Sequence, residues 1–298
     1  MYPDPDRARR IGALDVVVIA ALLAFVVYAW FRVSEVLVYN WDWRFLPQVM
    51  FRRDPLSGWW QPNVLLEGLF TTLRLSIWSM VLASVLGLAL GVMATLPRLP
   101  AWLTAMAYVG LIRNVPPLVF IFVFYFFISA QIIPFLGIDV WARELGETGR
   151  GVMNLVLGPP SLLENLISGV LCLAMFEAAY IAEIVRAGIL SVPQSQTEAA
   201  RSLGLGRLQV FRLVVLPQAL RAVLPPLSNQ FILLLKNSSI VSLISVQELT
   251  FIGAELAIST GRRFETWIVV ALMYFILSYG LALVFARLER RARRAYAR

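Results

Sequence analysis

The feature that most constrains this sequence is a series of six apolar runs, each about as long as a bilayer is thick. A helix needs roughly 20 apolar residues to cross a hydrocarbon core of about 30 Å. With 59% hydrophobic residues and a mean hydropathy of +0.76, the 298-residue chain carries more apolar surface than a soluble core of that size can bury. The runs cover about 12–31, 66–96, 101–133, 161–186, 213–245 and 264–287. The sequence therefore predicts an all-α polytopic membrane protein with about six transmembrane helices, and not a barrel of short alternating strands.

Composition excludes several kinds of site. The chain has no histidine and one cysteine, Cys172, so a single copy cannot build a disulfide framework or a Cys/His metal site. Its only lysine, Lys236, lies inside an apolar run, whereas a Gly-x-x-x-x-Gly-Lys-Ser/Thr phosphate loop needs a lysine at the start of a helix. No convincing carboxylate pair or nucleophile–base set is present, which argues against a membrane enzyme. We expect no metal, no cofactor and no ATP site of this type in the chain.

The arginines indicate an orientation. With the amino terminus inside, most arginines outside the runs lie on the cytoplasmic side. Arg7, Arg9 and Arg10 precede the first run as in a signal peptide, but this run is longer than a signal core and has no clear cleavage site. We therefore expect a retained first helix and two cytoplasmic termini, with signal cleavage as the alternative.

Three regions follow from this pattern. Residues 1–63 hold the first helix and a segment with Trp41, Trp43, Trp59 and Trp60, which we expect to lie on the outer bilayer surface; an ordinary folded loop is the alternative. Residues 64–290 form the remaining transmembrane domain, with a cytoplasmic loop at about 187–217. Residues 291–298 are a basic cytoplasmic tail.

The cytoplasmic loop has helix signals of its own. Ser195 and Glu198 have the spacing of a capping box, and Ala199 and Ala200 favour a helix. Gly204 suits the left-handed position just past a helix end. The loop is thus predicted to contain a two-turn helix with a low-profile alanine surface. A second capping box, Ser161 with Glu164, is predicted to open the fourth span.

The order of residues in this loop resembles a known signature. Glu198-Ala199-Ala200, then Gly204, then Val214-x-Leu216-Pro217 is similar to the coupling loop of ATP-binding-cassette importer permeases, with valine where that family usually has isoleucine. A bare Glu-Ala-Ala tripeptide would fit any amphipathic surface helix, but the whole set is specific. The resemblance implies that Glu198, Ala199, Ala200, Gly204, Leu216 and Pro217 form the contact with a separate ATPase.

Flanking segments resemble the polar amino acid permeases of the histidine, glutamine and arginine type. They are Thr71–Ser76, Arg113–Pro116, Ala179–Gln194, Leu216–Arg221 and Leu235–Ser242, within a similarity that covers about 66–290. The resemblance implies a non-catalytic permease in the bacterial inner membrane that imports polar amino acids. Its implied partners are a cassette ATPase dimer that binds the ATP and Mg, a second permease copy or homologue, an extracytoplasmic amino-acid-binding protein, and membrane lipid.

Polar side chains inside the spans are candidates for the substrate path, because such residues are costly in a bilayer and usually face a partner or water. The candidates are Glu177, Glu183, Arg186, Arg113, Asn229, Lys236 and Asn237. Glu183 and Arg186 are three apart and could simply neutralise each other. Lys236 and Asn229 are predicted to share a helix face with Asn237 beside them, and a bridging role is as well supported as substrate contact.

Two proline pairs are predicted to break or bend helices: Pro116 with Pro117, and Pro225 with Pro226. An ion-gradient-driven secondary transporter, or the same importer architecture with another small polar solute, remains the alternative function.

Overall fold

The structure is a computed structural model that describes residues 12–36, 39–55 and 58–296. The chain divides into two compact units, with the boundary between Trp43 and Arg44. Arg7, Arg9, Arg10 and the last two residues lie outside the described residues, so the predictions that rest on them stay predictions.

The first unit contains one long apolar helix, α1 (Ala13–Val36). Asp15 opens it by accepting a hydrogen bond from the Gly12 amide at 2.8 Å, as expected for an acidic residue in a first turn. After α1, the indole of Trp41 stacks on Trp43 with ring centroids 5.8 Å apart. Such a pair of rings suits the membrane–water boundary.

The second unit is helical apart from one short hairpin. Its helices are α2 (Leu46–Met50), α3 (Val64–Met93), α4 (Leu99–Arg113), α5 (Pro117–Val123), α6 (Ala130–Phe135), α7 (Ile138–Glu144), α8 (Glu147–Val156), α9 (Leu163–Leu190), α10 (Gln194–Ser202), α11 (Arg207–Val210), α12 (Leu216–Asn237), α13 (Leu249–Ser259) and α14 (Arg263–Tyr296). Strand β1 (Phe51–Arg53) pairs antiparallel with β2 (Trp60–Pro62). Trp60 of the predicted surface segment therefore belongs to this hairpin.

Six helical stretches of the described chain are long and apolar enough to cross a membrane. They are Ala13–Arg32, Val64–Met93, Pro117–Phe135, Pro160–Leu190, Arg207–Ile244 and Arg263–Arg291. Together with the almost complete absence of strands from the described residues, they confirm the all-α polytopic class. The boundaries differ at the third run, where the prediction of one span over 101–133 is wrong.

The third run is two helices because the chain breaks between them. α4 ends at Arg113, and Pro116 adopts an extended conformation that opens α5. A π-helical turn over Phe124–Ser129 then joins α5 to α6. By contrast, α12 continues through Pro225 and Pro226 without a break.

The core of the second unit is the contact between α3 and α9, which run in the same direction. Near the start of the contact, the Ser79 hydroxyl lies 3.4 Å from the Val170 carbonyl. Near its end, Gly91 lies so close to Val185 that an added Cβ would be 2.6 Å from the Val185 Cβ. Small residues permit this approach of two membrane helices. The parallel direction places the ends of α3 and α9 on the same side of the bundle.

α9 does not begin as its sequence predicts. A 3₁₀ turn over Pro160–Leu162 precedes it, and no side chain caps Leu163, its first residue. The capping box of Ser161 with Glu164 is therefore wrong. Because proline has no amide hydrogen to satisfy and its φ suits a first turn, Pro160 starts the turn one residue too early for Ser161 to act as a cap.

Candidate functional site

The loop after α9 folds as a separate short helix, α10. It begins at Gln194 with Pro193 at the N-cap and no side-chain cap. The predicted capping box of Ser195 with Glu198 is wrong, since Ser195 already lies inside the first turn. The Glu198 carboxylate accepts a hydrogen bond from the Gln194 side chain at 2.8 Å instead. The predicted short helix itself is present.

Ala200 attaches α10 to the rest of the loop. It is buried and packs in a small apolar cluster with Val210 and Val215. Glu198 and Ala199 are exposed. Of the predicted contact residues on α10, one thus holds the helix in place and two are available to a partner.

Gly204 ends α10 in the predicted left-handed conformation. Its φ is +82°, and its amide donates to the Arg201 carbonyl at 2.9 Å. An added Cβ at Gly204 would meet nothing within 4 Å, so the backbone conformation and not the space requires glycine. The turn redirects the chain to α11 and leaves Leu203 82% exposed.

Leu216 and Pro217 occupy the first two positions of α12, after a π-helical turn over Phe211–Val215. Proline is well suited to a first turn because its φ is already helical. These two residues therefore position the span that follows the loop. Pro217 is exposed and Leu216 is half-buried.

A buried carboxylate joins the two spans on either side of the loop. Glu177 of α9 is completely buried, and its two oxygens accept hydrogen bonds from Gln230 and, at 3.0 Å, from Asn237 of α12. Gln230 and Asn237 are seven apart and share a helix face. Asn229 is exposed and takes no part. Gln230 was missed in the sequence because its neighbour Asn229 was chosen for its seven-residue spacing from Lys236, although the equal spacing of Gln230 from Asn237 was a usable signal.

A second polar cluster lies where α4 ends against α9. Arg186 binds Glu183 through two hydrogen bonds, at 2.6 and 3.0 Å, and Arg113 approaches the same carboxylate at 3.9 Å. The Arg113 guanidinium also lies 5.6 Å from the centre of the Tyr180 ring. Two arginines and one glutamate leave one net positive charge. All three side chains remain partly exposed, at 28–42%.

Lys236 lies apart from both clusters. It is exposed in a groove of about 650 Å³ between the end of α12 and the middle of α14. The groove is lined mainly by apolar and aromatic side chains, among them Ile232, Trp267 and Phe275. The structure thus distributes six of the seven predicted path residues over three places and brings together Glu177 with Asn237, and Arg113 with Glu183 and Arg186. Asn229 belongs to none of the three.

Glu248 is a buried residue that the sequence did not indicate. It caps α13 by accepting from the Phe251 amide at 2.8 Å, and it also accepts from the Tyr274 hydroxyl at 2.6 Å. The Thr72 hydroxyl lies 3.4 Å from the same carboxylate. This carboxylate therefore connects α3, α13 and α14. Glutamate is not among the preferred N-cap residues, so the local sequence contained no signal for this role.

Comparison with known proteins places these features in a family. Residues 83–294 match the family described as the inner membrane component of binding-protein-dependent transport systems. The chain is 34% identical over 234 residues to a probable glutamine ABC transporter permease of Bacillus subtilis, covering 78% of this chain and 95% of the relative. It is 30% identical over 255 residues to a glutamate/aspartate import permease of Escherichia coli, covering 85% and 96%.

Two solved structures of ABC transporters resemble this chain. An amino acid ABC transporter crystallised with histidines is 32% identical, with a TM-score of 0.61 over 76% of this chain and 94% of that one. The inward-facing methionine ABC transporter MetNI, at 22% identity and a TM-score of 0.56, shares the fold. The chain belongs to the family of inner membrane components of binding-protein-dependent transport systems.

Proposed function

We propose that this protein is the membrane-spanning permease subunit of an ATP-binding-cassette importer for polar amino acids. The observation that carries the proposal is α10, a short helix held by Ala200 and ended by the left-handed Gly204, between two membrane spans. The names of the relatives, which include glutamine and glutamate/aspartate permeases, support an amino acid as the solute.

The proposed role of α10 is to receive force from an ATPase subunit. Glu198 and Ala199 are exposed, and Leu203 presents a large apolar side chain beside them. A low-profile helix with one apolar neighbour can enter a groove of a partner. Since Glu177 ties α9 to α12, a displacement of α10 would move both spans together. In this proposal the ATPase dimer binds ATP and Mg, and the permease itself catalyses nothing.

The remaining partners and the orientation follow from the same proposal. A second permease copy or homologue would complete the path, and an extracytoplasmic binding protein would deliver the solute. The parallel α3 and α9 end on one side, where Arg98 and the α10 loop lie, and this supports a cytoplasmic loop. Both termini are proposed to be cytoplasmic as well. We place the protein in the inner membrane of a bacterium.

The cluster of Arg113, Glu183 and Arg186 is the best-supported part of the substrate path among the predicted residues. A free amino acid carries a carboxylate and an ammonium, and this cluster offers two guanidinium groups and one carboxylate at partly exposed positions. Glu177 is less accessible, because it is fully buried and both of its oxygens are engaged. We assign it to joining the helices.

The coupling proposal is tested with Gly204→Asp and Glu198→Lys. Both variants should insert in the membrane but lose association with the ATPase and ATP-driven amino acid uptake. Glu147→Lys, an equal charge reversal at an exposed residue of α8, is the control and should retain both. Normal uptake by both loop variants would contradict the proposal. Uptake that follows an ion gradient and ignores ATP would favour a secondary transporter.

A further inference from the structure

The groove between α12 and α14 contains an unpaired cation. The Lys236 ammonium makes no hydrogen bond or ion pair with any residue that the structure describes. It is the only formal charge among the residues that line the groove. A cation at membrane depth requires a counter-charge, a polar partner or water. The partner must therefore come from outside the described part of this chain.

The depth of the groove restricts what that partner is. Tyr274 and Ser278 line it, and they lie roughly 16 and 22 Å along α14 from Arg263 at a rise of 1.5 Å per residue. Counted from Arg263 across a hydrocarbon core of about 30 Å, these positions lie between the middle and three quarters of the way across. A phospholipid headgroup lies at the bilayer surface, away from these α14 residues. We therefore take the carboxylate of a transported solute as the partner of Lys236.

A second group in the groove also lacks a partner. The Ser278 side chain is 8% exposed, and its hydroxyl has no hydrogen-bond partner among the described residues. The Tyr274 hydroxyl is already engaged, with Glu248 at 2.6 Å and Thr250 at 3.0 Å. Besides Lys236 and Ser278, the Tyr279 hydroxyl and the Trp267 indole N–H line the groove without a hydrogen bond among the described residues, whereas the nearby carboxylate of Glu248 is occupied behind Tyr274.

We propose that this groove binds a carboxylate of the transported amino acid at Lys236, and that its charge favours acidic over cationic amino acids. The inference rests on the proposed function and extends it to the substrate class. A cationic side chain would be repelled by the Lys236 ammonium, with no anion in the groove lining to compensate. A second carboxylate would instead be attracted by it. The net positive cluster of Arg113, Glu183 and Arg186 adds to the same preference.

The test uses the permease–ATPase complex with its binding protein in nanodiscs. Glutamate, glutamine and arginine are each offered as substrates, and ATP-driven turnover is measured against concentration. Lys236→Gln should raise the KM for glutamate by about tenfold or more, and Lys236→Arg should recover much of that loss. Ser228→Ala, whose hydroxyl bonds only within α12, is the control and should change nothing.

The single lysine permits a direct measurement. An amine-reactive reagent labels Lys236 alone among the side chains of this chain, and peptide mass spectrometry reads the extent of labelling. Glutamate should protect Lys236 from labelling more than arginine does, in the complex without binding protein. Equal labelling with and without glutamate would overturn the proposal.

Two further outcomes are informative. If Lys236→Gln separates the permease pair, the partner of Lys236 is a carboxylate of the second copy and the proposal is wrong. If the complex transports amino acids under ATP but Lys236 variants leave every KM unchanged, only this inference fails. If the unaltered complex transports no amino acid, the proposed function itself fails.

Discussion

At the scale of single residues, Gly204 shows how a backbone conformation can matter more than the space around it. Its φ of +82° costs an ordinary residue about 1–2 kcal/mol, although nothing lies within 4 Å of an added Cβ. The turn it makes sets the direction in which the exposed face of α10 points. A small local penalty there would act on the contact with a partner and not on the bundle.

Gly204→Ala is therefore predicted to weaken ATPase association severalfold while the permease inserts normally. The reason is strain in the left-handed turn. Gly206→Ala is the matched control, because Gly206 has a φ of −69° and accepts alanine without strain. Co-purification of the ATPase with each variant measures the effect. Equal association of the two variants would contradict a role for the Gly204 turn.

The carboxylate of Glu177 permits a second test at this scale. Glu177→Ala leaves two amide groups, on Gln230 and Asn237, without their acceptor, and each buried unsatisfied group costs about 1–3 kcal/mol. We expect a clear drop in the melting temperature of the variant in nanodiscs. The triple variant Glu177→Leu, Gln230→Leu, Asn237→Leu should recover much of it, since no unsatisfied polar group remains. Continued instability of the triple variant would show that the cluster does more than join two helices.

At the scale of elements, the length of the apolar runs predicted five of the six spans. It missed a short helix, and it missed the break within the third run. α13 has 11 residues, which is too few for a length criterion to detect, and it lies between two of the predicted runs. The split of α4 from α5 was indicated by Pro116, but a continuous apolar run concealed it. Both capping boxes failed because prolines, Pro160 and Pro193, opened those helices.

The candidate site was predictable to a similar degree. The loop helix, its glycine and the Glu183–Arg186 pair are local features, so spacing in the sequence revealed them. The contact of Arg113 with Glu183 spans 70 positions of sequence, and the contacts of Glu177 with α12 span more than 50. Such contacts depend on how α4, α9 and α12 pack, and helix packing in membranes leaves little trace in one sequence.

The α3–α9 contact gives a prediction for the elements themselves. Gly91→Ala places a methyl group 2.6 Å from the Val185 Cβ and should destabilise the protein, because both helices are rigid there. Adding Val185→Ala should not restore the loss, because alanine keeps the Cβ at 2.6 Å and the backbone oxygen of Ala182 remains 2.7 Å away. Gly110→Ala in α4 has nothing within 4 Å of the new methyl and should be neutral or slightly stabilising. Thermal unfolding in nanodiscs compares the three, and a neutral Gly91→Ala would contradict the close contact.

At the scale of the whole molecule, the chain separates into a first unit that ends at Trp43 and a second that holds the loop, both polar clusters and the groove. The family match begins only at residue 83. The parts to which we assign transport thus lie entirely in the second unit. The first unit would serve insertion or an additional contact.

Removal of residues 2–43 is accordingly predicted to leave ATP-driven uptake largely intact. The truncated chain would begin on the outer side, so a cleavable signal peptide is placed before Arg44 to translocate its start. Uptake per correctly inserted molecule is the measurement, with insertion followed by protease accessibility. Loss of uptake with normal insertion and normal ATPase association would assign the first unit a direct part in transport.

The parallel α3 and α9 also have a consequence for synthesis. Two neighbouring helices that run in the same direction cannot form a helical hairpin. The membrane span between them must therefore be synthesised before α3 can contact α9. Until then its small polar residues face lipid. The hydroxyls of Thr72 and Ser76 meanwhile bond to carbonyls four residues earlier, at 3.1 and 2.7 Å, so α3 is self-sufficient in the bilayer. We expect the nascent chain to insert α3 as a stable single helix and to acquire its tightest contact about a hundred residues later.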